Sequence, residues 1–240
     1  MAIAYDAAST TQSASPATSD AVTFTTSGSD RFLVVGIRHN TSAVTFTVTY
    51  NSVSMTEIGS GQLFNGDTNR MRLFYLINPA SGSNTVSVTP SASDYFQWSV
   101  ASYNGVDQAS QPDSSNSGET SGVSTHPIST TVVAEDSWMV GVWGGGGWNI
   151  TAGTGTTERS SGVDFYALGD SNGALASGSR TLTMTTGGNE AEGQIALSFD
   201  PASAAGPANV KTVNEIAIAS VKTMKAGVAI ASVKTWNDIA

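Results

Sequence analysis

Cysteine is absent from all 240 residues. That removes disulfides, thiolate metal sites and cysteine nucleophiles from the possibilities. Lysine is missing from residues 1–209, and charged side chains of both signs make up only 12% of the chain, about half the usual share. No continuous apolar run approaches the ~18–20 residues of a spanning helix, so no membrane span is expected. The opening MAIAYDAAST has neither a basic segment nor an apolar one, and no secretory signal is visible. The net charge of −9 speaks against nucleic acid as a partner, because phosphate neutralisation needs a basic surface. Two histidines without cysteine make a structural zinc site untenable.

What fills the chain instead is serine, threonine, glycine, asparagine and alanine, the composition of a β-rich exterior protein. Ala21–Thr26 alternates, Arg31–Arg38 (RFLVVGIR) reads as a strand buried on both faces, and Ala43–Tyr50 alternates apolar residues with threonine. Asn51–Ser52 reads as a turn into Val53–Ile58. Arg70–Ile77 and Asn84–Thr89 flank the turn chemistry of NPASGS. Further strands are expected at Tyr95–Tyr103, Ser129–Val133, Ser137–Val142, Val163–Leu168, Ser179–Thr186 and Gly193–Phe199. The spacing favours an all-β fold, a β-sandwich of jelly-roll type over residues 1–200.

Two stretches read as loops. Asp107–His126 is polar, glycine-rich and aperiodic, so a surface excursion is expected. Trp143–Trp148 (WGGGGW) sets four glycines between two tryptophans. Trp143 and Trp148 either stack on a glycan or pack inward as core, and the inward packing is preferred because aromatics dominate burial.

Charge divides the chain sharply. Residues 1–209 hold six arginines against seventeen acids, net −11, whereas residues 210–240 hold four lysines against two acids, net +2. Between them DPASAAGPAN reads as a hinge over 201–209. The tail, 210–240, repeats one unit three times: VKTVNEIA from Val210 and Lys211, VKTMKAGVA from Val221 and Lys222, and VKTWNDIA from Val233 and Lys234, the last containing Trp236. The same tripeptide, IAS, fills both intervals, so a repeated structural unit is expected. Ile216 and Ile218, like Val228 and Ile230, lie two apart and share a strand face. The period of 11 then 12 residues also fits a helix of about 3.67 residues per turn, although the β-branched content favours strands. Thirty such residues cannot bury a core alone and must find a surface on their own body or on another subunit.

Catalytic signals are weak. Gly169–Gly173 (GDSNG) matches the G-x-S-x-G pattern around Ser171, yet a strand and not a helix is expected after it. Both histidines, His39 and His126, precede Ser171, which is the wrong order for that hydrolase arrangement. Asn172–Gly173 reads better as a turn. No metal or cofactor is expected; the weak calcium candidates are Asp67 with Asn69, and Asp170 with Asn172. Asn40 and Asn149 head N-x-S/T sequons.

RFLVVGI at Arg31–Ile37, LFYLINPASGSNTVSVT at Leu73–Thr89, SYNGVDQ at Ser102–Gln108 and DSWMVGV at Asp136–Val142 carry a resemblance. The body resembles the jelly-roll or concanavalin-like domains of tailed-phage structural proteins and bacterial surface proteins. The tail resembles the short VKTxNG-type repeats that end many of them, with Glu215 and Asp238 standing where glycine is often found. The resemblance implies an architecture and a non-enzymatic role in an extracellular filament or a virion, and names no ligand. Together with the charge division it leads to the expectation of a self-associating structural subunit, the basic tail of one copy meeting the acidic body of another. The alternative from another class is a carbohydrate-binding module anchored by the tail.

Overall fold

In the computed structural model the chain divides into two units, Met1–Ala202 and Ser203–Ala240. The structure describes residues 1–146, 149–160 and 165–203, together with the backbone of 212–213 and 216–217. Every regular element among the described residues is a strand. The first unit opens with β1 (Ala4–Ala8), β2 (Gln12–Ala17), β3 (Asp20–Thr26), β4 (Phe32–His39) and β5 (Phe46–Tyr50). It continues with β6 (Val53–Ser54), β7 (Thr56–Glu57), β8 (Gln62–Phe64), β9 (Asn69–Ile77), β10 (Gly82–Pro90) and β11 (Asp94–Asn104). It ends with β12 (Ser114–Val132), β13 (Trp138–Gly145), β14 (Thr151–Ala152), β15 (Thr157–Ser160), β16 (Tyr166–Asp170) and β17 (Gly178–Phe199).

These strands form a β-sandwich with one layer more than two. The central sheet runs β1–β11–β4–β9–β7, with β2 also on β11 and β8 also on β9. Alternate residues of β4 serve two cores. Phe32 and Val34 face a cluster with Val140, Val142, Ile195 and Leu197 of the sheet β12–β17–β13–β16–β15. Leu33, Val35 and Ile37 face the other way, against Phe46, Val48, Val86 and Val88 of the sheet β3–β10–β5–β6. All eight residues of β4 are buried, which is why its first six, Phe32–Ile37, run continuously apolar instead of alternating. Each fully buried large apolar side chain in these clusters contributes about 1.5–3 kcal/mol.

The third sheet folds back on itself. Ser114–Thr120 pairs with Glu192–Ser198, the inner half of β17, while Thr125–Val132 pairs with Gly178–Thr185, its outer half. The outer halves form a flap whose Ile128, Val132, Leu182 and Met184 cover Met139, Trp143, Ala167 and Ala196. A band of small residues accommodates it: Gly141 lies opposite Gly169 on one side and Ala196 on the other. A Cβ on Gly141 would stand 2.5 Å from the Trp143 ring, and one on Gly169 would stand 2.6 Å from Met184. Close approach requires both glycines.

Asp107–His126 therefore departs from expectation. Ser114–Val132 is one 19-residue strand, and Ser179–Thr186 and Gly193–Phe199 belong to a single 22-residue strand. Polar residues serve over Ser114–Val132 and Ser179–Thr186 because one face there reaches solvent, whereas Gly193–Phe199 is buried on both. Both outermost faces of the stack are built alike. On β3, β10 and β5 the outward positions pair as Thr23 with Thr85, Thr49 with Ser87 and Thr47 with Thr89. On the flap Ser129 pairs with Thr181 and Thr125 with Thr185. Neither outward ladder contains an acid or a base.

Candidate functional site

The densest cluster of ionisable groups lies where four strands of the central sheet end. His39 closes β4, Asp94 opens β11, Arg72 sits in β9 and Glu57 in β7. His39 Nδ1 lies 3.1 Å from Asp94 Oδ2, and Arg72 Nε donates to His39 Nε2 at 3.0 Å. A guanidinium can only donate, so Nε2 is the acceptor and the ring proton sits on Nδ1, directed at Asp94. Asp94 also accepts from Thr41 N, Thr41 Oγ1 and Tyr95 N. Arg72 continues to Glu57 and to the Val44 carbonyl at 2.7 Å. Burial, and then the neighbouring Arg72 cation, push His39 down to about 4 against the opposing pull of Asp94. An Asp–His pair elsewhere serves general-base chemistry. Here the imidazole lone pair is spent on a guanidinium, so the cluster ties strand ends together.

A second cluster joins the central sheet to the third. Asp170 is fully buried and pairs with Arg159 Nε at 2.7 Å. Its Oδ2 also accepts from the Tyr103 hydroxyl at 2.9 Å, and its Oδ1 from Asn172 N at 2.9 Å. Arg159 donates to Asn172 Oδ1 at 2.6 Å and lies over the Tyr5 ring, 4.0 Å from its centroid. Burial pulls the Arg159 guanidinium down, but the Asp170 contact outweighs it and the net direction is up. Burial, then the Asp170 charge, hold the Tyr103 hydroxyl well above its ordinary value. The oxygens that calcium would need from Asp170 and Asn172 are thus bonded to a cation already. Asp67 adopts φ of +65° in the exposed turn before β9, and Asn69 begins that strand. Among the described residues no three His, Asp or Glu side chains converge as a metal-binding group.

Ser171 follows β16 directly. Its Oγ donates to the Gly173 carbonyl at 3.0 Å and accepts from Met139 N at 3.2 Å. Asn172 takes φ of +48°, as a turn residue does. His126 is fully buried inside the flap, between Thr120 Oγ1 at 2.6 Å and Thr186 Oγ1 at 2.9 Å. Thr186 donates to the Gly188 carbonyl, so it must accept from His126 Nε2, and Thr120 must donate to Nδ1. Burial lowers His126 as it does His39.

Trp143 is core. It is fully buried, and its indole N–H donates to the His126 carbonyl at 2.9 Å. Trp148 lies outside the described residues, as do the side chains of every tail position from Val210 to Trp236. Within the first repeat unit, Thr212–Val213 (β18) pairs antiparallel with Ile216–Ala217 (β19).

One cation escapes sequence reading entirely. Arg38, in β4, lies 6.0 Å from the Tyr95 ring centroid and 5.6 Å from that of Phe165, and donates to Asn40. Desolvation lowers its guanidinium, and the nearby Glu192 and Asp94 carboxylates oppose that. Phe165 holds φ of +85°, a strained conformation for a bulky residue. No spacing links Arg38, Tyr95 and Phe165 in the sequence, because the pairing of β4 with β11 and the packing of the third sheet on the central one bring them together. No protein-family model matches this chain, and no curated protein matches it either.

Proposed function

We propose that the chain is a non-enzymatic structural subunit that self-assembles through its repeat tail, as part of an extracellular fibril or a virion. The carrying observation is the division of charge, a lysine-free body of net −11 attached to a tail of net +2. Opposite potentials on two parts of one chain steer copies into a defined encounter. A head-to-tail contact of that kind propagates into a filament unless its rotation closes a ring. The paired strands in the first repeat unit support strand addition to a sheet edge, which would add main-chain hydrogen bonds to the charge attraction. Buried ion pairs within the sheets, and the Tyr103–Asp170 hydrogen bond between the central and third sheets, suit the body to a rigid role. A jelly-roll relationship to virion and surface proteins belongs to the same proposal and rests on the sequence resemblance.

The test is electron microscopy of the purified chain beside its 1–209 truncation, which retains all three core clusters. Filaments or rings present only in the full chain are expected. Assembly that survives the truncation would refute the role given to the tail. A glycan-binding module is the second reading, supported by Arg38 between Tyr95 and Phe165. Glycan-array binding that is lost in Arg38→Ala, by a chain that stays monomeric, would favour it over assembly.

A further inference from the structure

The two outermost faces of the layered body share a property that the rest of its surface lacks. The outward ladder of β3, β10 and β5 is threonine, serine and alanine, and that of the flap is threonine and serine with Pro127. Sixteen of the seventeen acids of residues 1–209 fall among the described residues, and none of those sixteen stands on either ladder. The two faces also lie at opposite ends of the stack, because β4 turns alternate residues toward the sheets that bear them.

We infer that these faces are the contact between successive copies, the β3–β10–β5 face of one body seating on the flap face of the next. The inference rests on the self-assembly proposed above and names the surface that assembly would use. Three physical arguments favour a second copy as the occupant. Bodies of net −11 repel one another, and these two broad faces can be brought together without burying any described carboxylate. Short hydroxyl side chains have little rotamer freedom to lose on contact, unlike lysine or glutamate. Part of the flap is already self-satisfied, with Ser129 Oγ 2.7 Å from Thr181 Oγ1 and Thr151 Oγ1 2.9 Å from Thr185 Oγ1, so drying it leaves fewer polar groups unpaired.

Size then explains why a tail would be needed. At about 4.8 Å between strands and about 3.4 Å per residue, the β3–β10–β5–β6 face covers roughly 400 Å². The flap face, two strands of eight residues, covers only roughly 260 Å², so the contact buries roughly 500 Å² in total, well short of the ~1,200 Å² of a standard stable contact. Alone the faces associate weakly; a tether that raises their effective concentration to about the millimolar range makes the same contact persistent.

The experiment is a concentration series of the full-length chain, read by sedimentation velocity and negative-stain microscopy. It compares the wild type with Thr85→Arg, Thr85→Glu and Thr181→Arg, and with a variant whose Lys211, Lys222, Lys225 and Lys234 are all changed to Glu. Thermal melts first establish that each variant folds. Each face variant is expected to raise the assembly threshold at least about tenfold, with either sign of charge, because the introduced charge would be buried without a partner. An unmoved threshold in all three overturns the face contact, and so does a Thr85→Arg threshold that falls while the Thr85→Glu threshold rises. Tail reversal that leaves the threshold unmoved overturns the tail's role independently. A wild type that stays monomeric throughout the series overturns both.

Discussion

Acid should weaken this body through one imidazole. His39 is fully buried as a neutral ring, held down to about 4 from its ordinary 6.5. Above about pH 6.5 neither the folded nor the unfolded chain protonates it, and its contribution to stability is complete. Between 6.5 and 4 the unfolded chain gains a proton that the folded chain refuses, so stability falls as pH falls. About 2.5 pH units at ~1.4 kcal/mol each give about 3 kcal/mol lost by pH 4, and about 2 kcal/mol by pH 5. His39→Gln supplies the comparison, since an amide can donate to Asp94 and accept from Arg72 without titrating in this range. His126 and the remaining groups titrate in both chains, so the difference isolates His39. Urea unfolding followed by tryptophan fluorescence at pH 7.5, 6 and 5 should show the wild type losing about 2 kcal/mol more than the variant. Parallel losses in the two chains would refute the neutral, guanidinium-capped histidine.

Other perturbations have separate expected outcomes. Trp143→Ala should cost about 3–5 kcal/mol, read as a lowered melting temperature, because the indole is fully buried beneath the flap. Gly169→Val should cost about 1–3 kcal/mol by pushing Met184, and the flap that carries it, off β16, whereas Gly173→Ala, with nothing within 4 Å of its Cβ, should stay within about 0.5 kcal/mol of wild type in the same melt. Arg159→Ala strands the buried Asp170 and should cost about 3–5 kcal/mol at neutral pH; a urea-unfolding deficit below about 1 kcal/mol would be the wrong result. Ser171→Ala should cost only about 1 kcal/mol in a urea titration, the loss of an acceptor for Met139 N.

The legible part of this fold is the part where hydrophobic period and turn chemistry agree. RFLVVGIR announces a strand buried on both faces, and Asn51–Ser52 announces a tight turn whose two residues do take φ of +49° and +64°. Val53–Ile58 was legible only as one strand. It divides at Met55, its first half pairing with β5 and its second with β9, so the segment passes from one layer to another. Ser179–Thr186 and Gly193–Phe199 are legible as strands and only the GGNEAE between them is not, whereas the Ser114–His126 part of β12 is hidden because glycine, serine and threonine suit a half-exposed ladder as well as a loop. The charge clusters are hidden for a different reason. Asp94 lies 55 residues from His39 and Arg72 lies 33 away, and only the antiparallel register of β4 with β11 and β9 makes them neighbours.

Strand β17 has a mechanical consequence. Its last residue, Phe199, is buried in the core, and the chain stays bonded to the body as far as Ala202, whose N–H donates to the Gly105 carbonyl at 2.8 Å. Its inner half is hydrogen-bonded on both sides, to β12 and to β13. Tension on the tail therefore acts along β17, perpendicular to both ladders. The bonds of the two ladders share the load at once, where a hairpin pulled open at its end would break them singly. Pulled by its tail in an optical trap, the full chain should hold and then yield in one abrupt extension, whereas a staircase of small ones would mean that the load enters elsewhere.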